Sequence, residues 1–330
     1  MVDEQNFEIH DIIFGLRSRI KSCAGETFPL ASPAMAESRH AFIALDGLRG
    51  IAAFAVAFVH CLSWGPPQFY LAVDFFFVLS GFVLAHAYGE RLRKGMTTRR
   101  FMALRLKRLY PLYLLSLALW LPVGLRELQT GMLDPGTATV VVITAILFLP
   151  APAPTLTYPI NISAWSLFYE LLANACYGLI ARLDPRAVIL IAAAGAIALI
   201  TSVTANGGME NDDFSIIFYI GAARVAYSFF AGVVLYRLWL KRKPSLSLPA
   251  PIAALVLIVI LCIPIGGPYR AAFDLLAALL LFPLLIWFSA GSKPPPLIAR
   301  LCTWSGTISY GLYILHVPAM TLAVKVAAHL

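Results

Sequence analysis

Long apolar runs, each closed by Pro, Gly or a cluster of charge, recur from about residue 42 almost to the end of the chain. They fall at about 42–63, 69–89, 109–126, 138–150, 164–182, 187–204, 214–239, 249–265, 270–290 and 303–328. In water, ten such segments would need a large polar shell around them. Only 13% of the residues are charged, against about 25% in ordinary globular chains, so that shell is missing. The runs are continuous rather than alternating, which excludes a transmembrane β-barrel. Helices remain, because a span in lipid must satisfy its backbone hydrogen bonds internally. The predicted fold is an all-α polytopic membrane protein with about ten hydrophobic helical segments.

The fourth run, at about 13 residues, is too short to cross a ~30 Å hydrocarbon core unaided, and Pro150, Pro152 and Pro154 end it. With the N-terminus inside, the first two spans return the segment Arg91–Arg108 to the cytoplasm. If the short run crosses, Lys241, Arg242 and Lys243 fall outside, while Glu210, Asp212 and Asp213 fall inside. If it is partial or re-entrant, both assignments reverse, Arg182 and Arg186 also lie inside, and the positive-inside rule holds throughout. The expectation is nine full spans plus one short partial or re-entrant segment, with a cytoplasmic N-terminus and an external C-terminus in the cell (inner) membrane.

Residues 1–41 are the one extended polar segment, an expected cytoplasmic extension ahead of a transmembrane domain at 42–330. No apolar signal core follows the charged start. Ile9, Ile12, Ile13, Leu16 and Ile20 recur at helical spacing beside Arg17, Arg19 and Lys21. That pattern fits an interfacial helix on an anionic leaflet or one packed on the protein's own cytoplasmic face.

The net charge of +8 is unevenly spread. Eight of 25 basic residues lie between Arg91 and Arg108, wedged between two apolar runs. This excludes a nucleic-acid-binding reading and points to a cytoplasmic loop. The five cysteines are scattered and mostly inside apolar runs, with no disulfide or zinc spacing. No metal is expected.

Ionisable residues within spans are costly and tend to mark function. In the first run Arg49 and His60 are 11 residues apart, within about 20° of three full turns, so they share a face at roughly 16 Å separation. Asp46, three residues before Arg49, shares that face and can pair with it. Each of these residues has an ordinary packing role available as well as a functional one. In the second run Asp74 requires a partner or a proton, and Ser80-Gly81 lets a neighbouring helix approach closely. Arg105 and Arg108, three apart, suit phosphate recognition and equally a positive-inside anchor. Trp165, Ser166 and Glu170 open the fifth run, where a poorly solvated carboxyl suits proton transfer. Arg224 requires a carboxylate or carbonyls, with Glu170 and Asp274 as candidate partners. His316 places a second imidazole in the last run, with Tyr310 six residues back on a different face. No Walker loop, GxGxxG, HExxH or GxSxG is present, which excludes nucleotide-hydrolysis, zinc-protease and α/β-hydrolase engines.

These segments together resemble the acyltransferase 3 family of integral membrane O-acyltransferases. The matching stretches are LDGLRGIAAFAVAFVH with its Arg49–His60 spacing, VDFFFVLSGF, Arg105-x-x-Arg108 followed by LYP, WSLFYE, Arg224 ahead of FFAG, and SYGLYILHVP. The resemblance covers about residues 41–328. It implies transfer of an acyl group, usually acetyl, from cytoplasmic acetyl-CoA or another acyl-CoA to a hydroxyl of an extracytoplasmic or lipid-linked glycan. It implies essential roles for Arg49 and His60 and an assisting role for the arginine pair. Phe168 stands where the family pattern often has a second Ser, which removes a hydroxyl and leaves Glu170. No extracytoplasmic hydrolase-like domain follows the last run, so a partner that hands on the acyl group would be a separate chain.

Read with the resemblance, the basic loop Arg91–Arg108 would hold the donor's phosphates while its arm follows the Asp46–Arg49–His60 face. His60 would act as general base or as covalent acyl carrier, with Glu170 orienting the imidazole or relaying a proton. The alternative from another class is a proton-coupled secondary transporter lined by Asp74, Glu170, Arg224 and His316, for which no internal repeat is visible.

Overall fold

The structure is a computed structural model that describes residues 41–62, 68–152, 158–181, 185–209 and 214–327. The proposed interfacial helix of the N-terminal segment and the acidic cluster Glu210, Asp212 and Asp213 lie outside these residues. Every regular element among the described residues is helical: α1 (Ile43–Leu62), α2 (Ala72–Arg93), α3 (Thr98–Gln129), α4 (Pro135–Ile146), α5 (Ala164–Ile180), α6 (Pro185–Asn206), α7 (Phe214–Lys241), α8 (Ala250–Cys262), α9 (Arg270–Leu276), α10 (Phe282–Ser289) and α11 (Pro296–Ala327). A π-helical turn at Ala277–Leu281 joins α9 to α10.

Local chemistry sets the boundaries. Thr97 caps α3 by accepting the Arg100 N–H at 3.2 Å, and Gly95, at φ 113°, turns the chain between α2 and α3 where a side chain would be strained. Asp134 caps α4 by accepting the Thr137 N–H at 2.9 Å, with Pro135 at the first helical position.

Among the described residues six helices are long and apolar enough to cross a membrane: Phe69–Arg93, Thr98–Gln129, Arg186–Asn206, Phe218–Lys241, Gly267–Ser289 and Pro296–Ala327. These six account for six of the nine full spans expected, and the other three runs form α1, α5 and α8, of 20, 17 and 13 residues. The run at 249–265 forms a helix of only 13 residues, about 20 Å long, because Pro264 lies just beyond its end. The run at 138–150 forms the 12-residue α4, about 18 Å.

Helix α4 folds back along α3. The hydroxyl of Tyr113 donates to Ala145 O at 2.7 Å and that of Tyr110 to Ile146 O at 2.5 Å, while Trp120 packs beside Val141. Tyr113 stacks on Phe148, with ring centroids 3.7 Å apart. Helix α5 runs antiparallel to α3, joined by Asn161 to Ser116 at one end and Thr98 to Gly178 O at the other.

Two helix pairs run parallel, and both are built on small residues. In α1 and α11, a Cβ on Gly47 would lie 2.5 Å from Cys302 Sγ, one on Gly50 2.5 Å from Ser305 Cβ, and one on Gly306 2.7 Å from Asp46 Cβ. Dispersion between closely approaching backbones drives such packing, since lipid offers no hydrophobic gain. In α2 and α7, Gly81 faces Phe229 O and Gly232 faces Val78 O, with hypothetical Cβ distances of 1.9 and 2.1 Å. Asp74 with Arg224 and His86 with Tyr236 continue that parallel register.

Candidate active site

The glycine seam between α1 and α11 leaves Arg49 at one level and His60 further along the same face. Arg49 is held from three sides. It donates to Asp46 Oδ1 at 2.7 Å, to Gly306 O at 2.9 Å and, through Nε, to Ser309 Oγ at 3.1 Å. The Asp46–Arg49 pairing expected from their spacing is therefore present, and α11 completes it. An arginine fixed this way keeps its position while retaining its charge.

About 11 residues further on, His60 meets His316, with ring centroids 5.0 Å apart. His60 is exposed and His316 is 6% exposed. Their Nδ1 atoms lie against backbone carbonyls: His60 at 2.9 Å from Val56 O, and His316 at 2.8 Å from Tyr313 O. A carbonyl only accepts, so each Nδ1 carries hydrogen and each neutral ring presents its lone pair at Nε2. Among the described residues, His316 Nε2 is buried with no hydrogen-bond partner.

Between these levels the site is walled by α5 and α11. Tyr313 Oη and Ser166 Oγ are 2.6 Å apart, and Ser166 donates to Ser163 O at 3.0 Å. Asn161 donates to Ile314 O at 2.8 Å, tying the start of α5 to the level of the histidines. Phe168 turns towards Phe218, with centroids 6.3 Å apart.

At the Arg49 level, α2, α3 and α5 converge on Glu170. Arg105 donates to Glu170 Oε1 at 2.7 Å and Ser80 donates to the same oxygen at 2.8 Å. Glu170 is thus engaged by a guanidinium and a hydroxyl, and it is His316 that adjoins the His60 ring. Arg105 is 4% exposed, whereas Arg108 is exposed and within electrostatic reach of Arg105, Arg49, Glu170 and Tyr88. The two arginines, expected as an equivalent pair, divide into one that grips a carboxylate and one left facing outward.

A second buried cluster binds α2 to α7. Arg224 donates to Asp74 through Nε at 3.0 Å and through a terminal nitrogen at 2.7 Å, and also to Tyr70 O at 3.1 Å. Its guanidinium sits 5.3 Å from the Trp165 ring centroid. The partner of Arg224 is therefore Asp74, and neither of the expected candidates. Asp274 accepts from Tyr70 Oη at 2.5 Å and from the Met209 N–H at 2.9 Å. Sequence spacing assigns faces within one helix but not which helices meet, and this pair joins residues 150 positions apart.

Ser309 and Tyr313 were not among the sequence candidates. Their signal was available: Tyr313 lies three residues before His316, and Ser309 is seven before it, both at helical repeat distances on α11. A cleft of about 380 Å³ opens beyond the histidines between the far ends of α3 and α11, with Arg126, Glu127, Thr130 and Lys325 among its lining residues.

Several apolar membrane-length helices carrying paired buried charges and a contacting histidine pair define a multi-pass membrane protein with intramembrane polar chemistry. Residues 42–330 match the acyltransferase 3 family model, described as an acyltransferase domain, and the chain belongs to that family. It is an acyltransferase, and the transporter alternative gives way. The chain is 42% identical over 181 residues to a Rhizobium radiobacter protein named protein 2 in the picA locus, covering 49% of this chain and 94% of that one. It is 25% identical over 319 residues to YrhL of Bacillus subtilis (strain 168), which is named as a candidate peptidoglycan O-acetyltransferase. That match covers 86% of this chain and 49% of the relative, so this chain spans about half the length of the Bacillus protein. A candidate acetyltransferase of Acidianus two-tailed virus is 24% identical over 279 residues, covering 82% of this chain and 80% of that one. No solved structure matches the chain.

Proposed function

We propose that the protein transfers an acyl group, acetyl in the first instance, from cytoplasmic acyl-CoA to a hydroxyl of a cell-envelope glycan in the cell (inner) membrane. The observation that carries this is the alignment of Arg49 and His60 on one face of α1, with Arg105, Arg108 and Glu170 gathered near the Arg49 level. The donor is an anion at its nucleotide end. Exposed Arg108 and the rest of the Arg91–Arg108 basic segment suit its phosphates, and the long arm of the donor can span the roughly 16 Å from Arg49 to His60.

Topology supports this direction of transfer. Helices α2 and α7 run parallel, so an odd number of crossings separates them; α3, α5 and α6 supply three when α4 is re-entrant, as its return along α3 favours. Parallel α1 and α11 then place their C-terminal ends on one face of the membrane. With the basic segment cytoplasmic, that face is the outer one, and His60 lies towards it. The cleft between the ends of α3 and α11, mostly apolar but carrying Arg126, Glu127, Thr130 and Lys325, gives the acceptor an approach from the same side. The name of the Bacillus relative favours a glycan acceptor.

In the reaction, His60 Nε2 takes the proton of the acceptor hydroxyl while its oxygen attacks the thioester carbonyl carbon. The C–O bond forms, the C–S bond breaks, and the electron pair leaves on sulfur. Imidazole suits a proton transfer near neutral pH. Glu170 and Ser80 act as positioning groups for Arg105. A separate extracytoplasmic chain could receive the acyl group before the final glycan. The test is transfer of radiolabelled acetyl from acetyl-CoA to alkali-labile envelope material, in inside-out vesicles from cells with and without the protein. Label that appears equally in both sinks the proposal.

A further inference from the structure

His60 and His316 come from opposite ends of the chain, yet the parallel α1–α11 seam brings their rings to a centroid distance of 5.0 Å. Both Nδ1 atoms face backbone carbonyls, which leaves two Nε2 lone pairs on adjacent rings. Two lone pairs cannot bond to each other, so a proton arriving at one ring is the group that would bridge them. His316 is 6% exposed and its Nε2 has no partner among the described residues. Leaving a buried acceptor unmade costs free energy that a purely packing role would not justify. Among the described residues, His316 is lined by the His60 and Tyr313 rings and the backbone carbonyls of Leu312 and Tyr313, while the carboxylate of Glu170 is engaged by Arg105 and Ser80.

We infer that His316 is a second acid–base group of the acyl-transfer site, sharing on its Nε2 the proton that His60 removes from the acceptor hydroxyl until His60 returns it to the departing thiolate. This rests on the proposed acyltransferase site at His60. The step balances: the hydroxyl proton passes to the histidine pair, the acyl carbon exchanges sulfur for oxygen, and the same proton ends on sulfur to give a free thiol. No oxidant, metal or further reactant is consumed. His316 acts through His60 and is in that sense a positioning residue for the proton.

The experiment compares wild type, His316→Ala and His316→Gln in inside-out vesicles with acetyl-CoA as the probe, following ester label and free thiol release. His316→Ala is expected to lower kcat about 100-fold, the scale of one acid–base contribution. KM for acetyl-CoA is expected to stay within about 2-fold, since donor binding lies at the arginine level. Added imidazole should restore at least about 10-fold of the loss by supplying the missing base. His316→Gln keeps a hydrogen-bonding amide but binds no proton, so it should fold with an unchanged unfolding midpoint and remain slow. Full activity in His316→Gln overturns the inference, because hydrogen bonding alone would then suffice. Loss in His316→Ala without imidazole rescue overturns it as well. If instead wild type transfers nothing from acetyl-CoA, or His60→Ala is as active as wild type, it is the acyltransferase site at His60 that fails.

Discussion

Arg105 on α3 and Glu170 on α5 meet at 2.7 Å, and Ser80 of α2 donates to the same carboxylate oxygen. Three helices are tied at one point, at the level where Arg49 is fixed between α1 and α11. This knot holds the exposed Arg108 beside the arginine level, and the histidine pair lies further along α1 and α11.

Removing Arg105 leaves the half-buried Glu170 carboxylate without the guanidinium that neutralises it. Arg105→Met should destabilise the protein by about 3 kcal/mol, the scale for breaking a buried pair, read from thermal unfolding in detergent. Replacing both partners, Arg105→Met with Glu170→Met, should recover part of that stability without recovering acyl transfer.

The Asp74–Arg224 pair predicts a different outcome. It is more deeply buried, with side chains 0% and 5% exposed, and lies in the α2–α7 seam. Asp74→Leu or Arg224→Met alone should cost about 3–5 kcal/mol. The double replacement should return most of the stability and retain acyl transfer. Loss of transfer in a stable double variant would give the pair a direct part in the reaction.

The glycine seam sets the distance between the helices that carry Arg49, His60 and His316. Gly50→Leu places side-chain atoms where Ser305 already sits and should push α1 from α11. A displacement of about 1 Å at the reacting groups is worth about 100-fold in rate. Acyl transfer should fall by that order while acetyl-CoA binding to vesicles persists. Gly207→Ala, at φ 74° with nothing within 4 Å, should cost stability through backbone strain and leave the rate per folded molecule unchanged.

Parallel α1 and α11 make topology testable from one end. A reporter fused after Leu330 should read extracytoplasmic, and one inserted at Gly95 should read cytoplasmic. A cytoplasmic reading after Leu330 would reverse the side from which the acceptor approaches.

Much of the site was legible in the sequence wherever one helix carries both members of a relationship. The shared face of Asp46, Arg49 and His60 follows from helical spacing, and the Asp46–Arg49 bond is there. Relationships between helices were not legible. Nothing in the spacing of Arg224 selects Asp74 over Glu170 or Asp274, because the choice depends on Gly81 and Gly232 letting α2 and α7 close together. The engagement of Glu170 by Arg105 and Ser80 likewise needs three helices in register. Gly47 and Gly50 could be read as part of a motif, but their partners Cys302 and Ser305 lie some 250 residues away. Helix length was less legible at residues 249–265, where a proline just past Ile263 closes the helix at 13 residues.

The most direct test of the account is the fate of labelled acetyl in inside-out vesicles carrying His60→Ala, with acetyl-CoA supplied to the exposed cytoplasmic face. The account predicts acetyl-CoA binding close to that of wild type and a fall in ester label of at least about 100-fold. Ester label at the wild-type rate would contradict it.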